Sequence, residues 1–252
     1  MSRIIGAQMY TIRDHVKTNE GIDASFAKLK KIGYTHGQRS AFNADPHFIK
    51  EMCDKHDFKI TSSHGNFDEI YADIDKHIAD HKVYGCKMPG IGGLPVEYRE
   101  TKEGILTFVK RASEVADKMA AEGQVFTYHN HAFEFVKVDG KYIMDYILEE
   151  CSENVKLMVD VYWLSVAGIN PVDFLKKNAS RVGAVHYKDL KVVNNAPEMC
   201  EVGYGNLDWD KIIACCDELN PEFIFVEQDK NFDNPFDSLQ MSYDFLSTKG
   251  YK

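Results

Sequence analysis

The feature that most constrains this chain is an alternation sustained along its whole length, in which short β-like runs are separated by segments of helical hydrophobic period. The runs are "IIGAQM" from Ile4, "YTHGQ" (34–38), "FKITSSH" (58–64), "YGCKMP" (84–89), "QVFTYHN" (124–130), "VKLMVD" (155–160), "RVGAVHY" (181–187) and "EFIFVE" (222–227). Between the first two, Phe26, Leu29 and Ile32 recur at helical spacing in a segment from Gly21 to Ile32. Between the fourth and fifth, "TKEGILTFVKRASEVADKMAAEG" puts Ile105, Phe108, Val109, Ala112, Val115, Ala116 and Met119 on one face and stops at Gly123, a suitable C-cap. Strict alternation calls for a parallel sheet, and about eight such units in 252 residues favour closure over an open sheet. The expected fold is therefore α/β, a (β/α)8 TIM barrel, with residues 1–252 as a single domain. No Pro/Gly/Ser-rich linker, charge block or low-complexity stretch divides the chain.

Composition narrows the function classes. A hydrophobic content of 44% supports one large core, and a formal charge of −9 disfavours a nucleic-acid partner, which calls for a basic groove. The start "MSRIIGAQMY" lacks the pattern of a signal peptide, and no run approaches the length of a membrane span. A soluble cytoplasmic protein with no membrane partner is expected. The six cysteines form no CxxC pair and read as buried thiols, including the adjacent Cys215 and Cys216.

In a barrel of this kind the active site lies at the C-terminal ends of the strands. Polar residues crowd those ends: the third run ends at His64, the fifth runs into His129, Asn130, His131 and Glu134, the sixth ends at Asp160, the seventh carries His186 at its end and the eighth ends at Glu227. Apolar runs such as "LMVD" and "FIFVE" deliver carboxylates where an isolated buried charge would be costly, and a shared cation would offset that cost. Carboxylates mixed with imidazoles suit a divalent ion, Mn2+ foremost, with Co2+, Mg2+ or Zn2+ as alternatives, better than a cysteine-rich zinc site. Period-2 alternation places His129 and His131 on one face, and Lys188 on the same side as His186, where its ammonium could meet a substrate oxygen.

Taken together, "GAQMYTIRD", "YHNHAFEF" (128–135), "DVYWL" (160–164), "HYKD" (186–189), "VGYGNLDW" (202–209) and "VEQD" (226–229) make the chain resemble the sugar phosphate isomerase/epimerase family, the xylose isomerase-like TIM barrels of the AP endonuclease 2 superfamily. The resemblance spans nearly the whole chain. It implies one metal ligand from each of the last four strands: Glu134, Asp160, His186 and Glu227. His129 and His131 are then left to orient the glutamate or to touch substrate, and "VGYGN" reads as a flexible loop over the mouth. Three positions depart from relatives: Trp163 stands where ketose 3-epimerases carry histidine, a Glu-Pro-Leu-Asn type of sequence is missing around the first ligand, and Gln38 replaces a glutamate at the end of strand two.

The resemblance implies a metal-dependent isomerase or epimerase acting on a sugar, keto-sugar or cyclitol through an enediolate. Glu134 and Glu227 would be the acid/base pair, and His64, His131, Lys188 and Trp163 the substrate contacts. A lyase or dehydratase on a 3-keto-glycoside or keto-inositol would use the same site, and a non-catalytic sugar-binding or accessory subunit is the reading from another class. An endonuclease IV-like nuclease fits the acidic balance poorly. The expected partner is a small-molecule sugar, and assembly as a homo-oligomer stays open.

Overall fold

The computed structural model describes residues 4–230 and 234–252. Eight parallel strands close a barrel in sequential order: β1 (Ile5–Gln8), β2 (His36–Arg39), β3 (Lys59–Gly65), β4 (Met88–Ile91), β5 (Thr127–His129), β6 (Lys156–Asp160), β7 (Val182–Tyr187) and β8 (Phe223–Val226), which pairs back onto β1. The helices that cover it are α1 (Asn19–Ile32), α2 (Pro46–His56), α3 (Phe67–Ala72), α4 (Ile74–Val83), α5 (Lys102–Ala121), α6 (Ile143–Glu150), α7 (Val161–Val166), α8 (Pro171–Lys177), α9 (Trp209–Leu219) and α10 (Pro235–Thr248). No helix among the described residues is long and apolar enough to cross a membrane.

Local chemistry accounts for the boundaries. Asp45, Asn66, Asn170 and Asn234 each accept backbone N–H bonds at the start of a helix, and Pro46, Pro171 and Pro235 stand in the first helical turn, where no amide hydrogen is missed. All seven residues expected on the apolar face of α5 are buried, each large one contributing roughly 1.5–3 kcal/mol. Gly123 follows with a φ of +77°. The fourth strand begins later than its sequence run suggested: Tyr84 caps α4 and Gly85 turns the chain at a φ of +74°, so pairing starts at Met88.

Inside the barrel, Met88, Met158, Ala184 and Phe225 form an apolar plug. Gly6 makes room for it, since a Cβ there would lie 2.6 Å from the Phe225 ring. Buried Gln8, Gln38 and Ser62 come next, so the interior turns from apolar to polar toward the C-terminal strand ends. Two antiparallel hairpins sit in the loops after β5 and β7, pairing 137–138 with 141–142 and 189–193 with 196–200. Their turns, Asp139-Gly140 and Asn194-Asn195, take positive φ at both central positions, the geometry a two-residue hairpin requires.

Candidate active site

Four side chains from four adjacent strands converge at the C-terminal end of the barrel. His129 of β5, Asp160 of β6, His186 of β7 and Glu227 just past β8 are all buried, each offering one ligand atom within 4.8 Å of the others. Two ligands bound at about 2.1 Å to one ion lie at most about 4.2 Å apart, so the group is a small side-chain adjustment from a coordination sphere.

The hydrogen bonds behind this group fix how it can be used. The Tyr10 amide donates to Gln8 Oε1, which turns the Gln8 amide nitrogen toward Gln38 Oε1. Gln38 Oε1 is therefore an acceptor, and His186 Nε2, 2.6 Å away, must be the donor. Neutral His186 then points its Nδ1 lone pair at Glu227 Oε2 (2.8 Å) and Asp160 Oδ2 (3.9 Å). His129 repeats the pattern: Nδ1 donates to the Gly92 carbonyl, leaving Nε2 facing Asp160 Oδ2 (3.3 Å) and Glu227 Oε2 (3.9 Å). Two nitrogen lone pairs and two carboxylate oxygens thus meet, with the outer nitrogens of both imidazoles and Asp160 Oδ1 already committed. Such a set is complete only with a cation or extra protons among its members, and its mixed imidazole and carboxylate chemistry fits a divalent metal.

Lys188 supplies one positive charge nearby. Its fully buried ammonium lies 2.8 Å from Asp229 Oδ2, 3.3 Å from Glu227 Oε2 and 3.6 Å from Asp160 Oδ2. Burial would raise the Glu227 and Asp160 carboxyls, but Lys188 with the neighbouring imidazoles holds both below the ordinary carboxylate range. Burial likewise opposes charge on His129, yet Asp160 and Glu227 prevail and raise its pKa. His186 goes the other way, lowered by burial against the pull of Glu227. Asp229, pushed up to about 6 by burial and by Glu227, keeps Oδ1 buried without a partner.

Glu134, expected as the ligand from β5, is not in this group. The strand ends at His129, and the short 3-10 turn Phe133–Phe135 folds the fully buried glutamate back, where Oε1 accepts from the Tyr128 hydroxyl (2.7 Å) and Oε2 from the His131 amide (2.7 Å). Burial carries its carboxyl up to about 7 despite those two donors. The side chain that the end of β5 brings to the group is His129, the second residue of the same motif.

The other expected contacts surround the centre. The His64 ring lies 5.3 Å from that of His129 and 5.8 Å from that of His186, and its Nε2 faces the Gln38 amide nitrogen. The His131 ring stacks on Phe133 and sits 5.2 Å from Trp163. Its Nδ1 and the Trp163 indole nitrogen are buried and unpartnered. Trp163 also lies 5.1 Å from the Lys188 ammonium, and its backbone amide donates to Oδ1 of Asp160, the N-cap of α7. Asp160 is thus held by its helix through one oxygen and presents the other to the centre.

Three contributions were not read from the residues alone. Asn130 accepts the Asp160 amide and donates to the Asp160 carbonyl, so its side chain extends the β5–β6 pairing past the strand end. Asp229 stands within the quoted "VEQD" but had no assigned role. Asp189 anchors the "VGYGN" loop: Oδ2 accepts from the Gly203 and Gly205 amides and the Trp209 indole, and Oδ1 from the Leu190 and Leu207 amides. The loop expected to be flexible is pinned at its base.

Residues 26–247 match the family described as xylose isomerase-like TIM barrel. The chain belongs to that family. Among curated proteins, the inosose dehydratase of Clostridium botulinum (strain Alaska E43 / Type E3) is 31% identical over 137 residues, covering 47% of this chain and 45% of that protein, so the match spans less than half of either. Among solved structures, a sugar phosphate isomerase/epimerase from Parabacteroides distasonis ATCC 8503 superposes with a TM-score of 0.79 at 20% identity, covering 98% of this chain and 94% of that one. An L-ribulose 3-epimerase gives 0.74 at 13% identity, covering 98% and 94%. A probable 3-DHS dehydratase from Bacillus anthracis gives 0.73 at 12%, covering 97% and 98%. At these identities the structural likeness shows the barrel, and its neighbours in that barrel carry the names of isomerases, epimerases and dehydratases.

Proposed function

We propose that this xylose isomerase-like barrel is a metal-dependent enzyme that isomerises or epimerises a sugar, keto-sugar or cyclitol through an enediolate. The observation that carries the reading is the convergence of His129 Nε2 and His186 Nδ1, each left as an acceptor by the hydrogen bond of its other ring nitrogen, with the carboxylate oxygens Asp160 Oδ2 and Glu227 Oε2. These residues would hold the ion, with Mn2+ the best match to their mixed hardness. When bound, a divalent metal supplies charge that lowers the pKa of a C–H beside a carbonyl.

The chain's own groups do the rest. Glu227 meets His186 and Lys188 through Oε2, which leaves Oε1 to take a proton. Asp229, whose Oδ1 is unpartnered, is the candidate for the second proton-transfer group, in place of Glu134, whose oxygens are both engaged. Lys188, fixed between the two carboxylates, would stabilise a developing oxyanion. His131 and Trp163 would offer their free ring nitrogens to substrate hydroxyls, and the indole face an apolar platform. Proton return to the opposite face gives epimerisation, and return to the neighbouring carbon gives isomerisation. Loss of a β-hydroxyl from the same intermediate gives dehydration, a second reading favoured by the match to an inosose dehydratase.

Wash-in of deuterium from D2O tests this without a guess at the product. Metal-loaded protein is incubated with keto-sugars, 3-keto-glycosides and inosones, free and phosphorylated, and exchange is read by NMR. Exchange at one carbon of at least one compound is expected, with loss in Glu227→Gln. Metal-loaded protein that exchanges none of the panel would refute the enediolate.

A further inference from the structure

Beside the barrel mouth lies a half-open cavity of about 850 Å3, lined by the ends of β2 and β3 and by α2, α3 and α4. That is ample for a sugar-sized ligand. Strand alternation explains its lining. Gln38 points into the barrel, where it meets His186, so Arg39 points to the other face and lines this cavity.

Arg39 is half-buried and forms no ion pair or side-chain hydrogen bond among the described residues; its Nε is buried without a partner. Two more polar atoms on the cavity wall are buried and unpartnered, the Tyr84 hydroxyl and His77 Nε2, and Tyr84 is only 7% exposed. None of the four lining carboxylates, Asp45, Glu69, Asp73 and Asp80, forms an ion pair with Arg39 among the described residues. Asp45 accepts the His47 and Phe48 amides, Asp73 accepts the Lys76 amide, and Asp80 pairs with the Lys76 ammonium. Of the lining carboxylates, this leaves Glu69 at the cavity wall. His81, the other imidazole in the layer, is already satisfied by Ser63 and the His77 carbonyl.

A half-buried guanidinium without a counter-ion, next to an unpartnered hydroxyl, is a receptor for an oxyanion. His64 links it to the centre, since it lines this cavity while its ring lies within 6 Å of the rings of His129 and His186. We propose that this cavity binds an oxyanion, a carboxylate or a phosphate, carried at one end of the substrate, with Arg39 as its counter-ion. The inference rests on the reading of the centre given above and extends it: the substrate is an acidic sugar derivative, either a sugar acid or a sugar phosphate, whose reacting end passes His64.

Binding without turnover separates the two readings. Full-length protein is stripped of metal by chelation, so that no ion at the centre can hold the anion, and is titrated with inorganic phosphate, gluconate and uncharged sorbitol, with heat or NMR as readout. Phosphate or gluconate should bind and sorbitol should not. Arg39→Gln should weaken the anion at least about tenfold, Tyr84→Phe less strongly, and Lys211→Gln, which removes an exposed cation of α9 outside both sites, should leave it unchanged. Loss confined to phosphate identifies a phosphorylated substrate, and loss confined to gluconate a sugar acid. The proposal is overturned if neither anion binds, if folded Arg39→Gln binds like the parent, or if Lys211→Gln weakens binding as much as Arg39→Gln does. Deuterium exchange plays no part in these outcomes, so either reading can fail alone.

Discussion

Replacing Asp189 by asparagine should destabilise the protein by about 3–5 kcal/mol, with the damage concentrated in the loop after β7. The side chain is fully buried and its carboxylate accepts five N–H groups, at 2.7 and 3.3 Å on Oδ1 and at 2.9, 3.0 and 2.6 Å on Oδ2. Asparagine must turn its NH2 toward one set of donors. The cheaper orientation replaces Oδ1, leaving the Leu190 and Leu207 amides facing another donor, at about 1–3 kcal/mol for each unsatisfied group. The remaining three bonds lose their ionic assistance as well. Against a total stability of roughly 5–15 kcal/mol this is a large fraction. Urea denaturation gives the global change. Hydrogen exchange at Gly203, Gly205 and Leu207 gives the local one, expected to accelerate by about two orders of magnitude or more. An asparagine variant within about 1 kcal/mol of the parent, with unchanged protection at those amides, would refute the reasoning.

Asp160→Asn, His186→Ala and His129→Ala should each lose Mn2+ far more than Lys188→Ala or Glu134→Gln does, measured by metal content after dialysis; equal occupancy across the five would remove the four-residue centre. Glu134 has a second signature in stability against pH. Its folded carboxyl titrates near 7, whereas the unfolded one titrates near 4.3. The folded state therefore holds the proton that the unfolded state has released, and stability falls as pH rises from about 4.5 to 7, by up to roughly 3 kcal/mol. In Glu134→Gln that part of the slope should vanish, as read from urea midpoints of both proteins at pH 5, 6, 7 and 8. Gly90→Ala should cost more than about 3 kcal/mol, because a Cβ there would overlap the Thr127 carbonyl oxygen across the β4–β5 pairing; a melting temperature within a few degrees of the parent would contradict it.

The barrel was legible in the chain because its cause is local and periodic. Each run of apolar residues that ends in a polar one, followed by a helical stripe, states a βα unit, and eight of them leave closure as the favoured arrangement. The same logic marked Asp160, His186 and Glu227 as strand-end groups, and all three meet in the centre. Within "YHNHAFEF", however, the residues could not say which polar group enters that centre. Alternation puts His129 and His131 on one face, but where pairing stops depends on the neighbouring strands, and β5 ends at His129. The chain then turns, and Glu134 is withdrawn under Tyr128. Asp189 needed the return of a loop 14–20 residues later to find its donors. Arg39 needed α4 folded over the sheet before it stood unpaired beside Tyr84. Periodicity along a chain fixes which side chains share a face, whereas the partners of a charge are set by distances across strands and layers, and only closure of the barrel determines those distances.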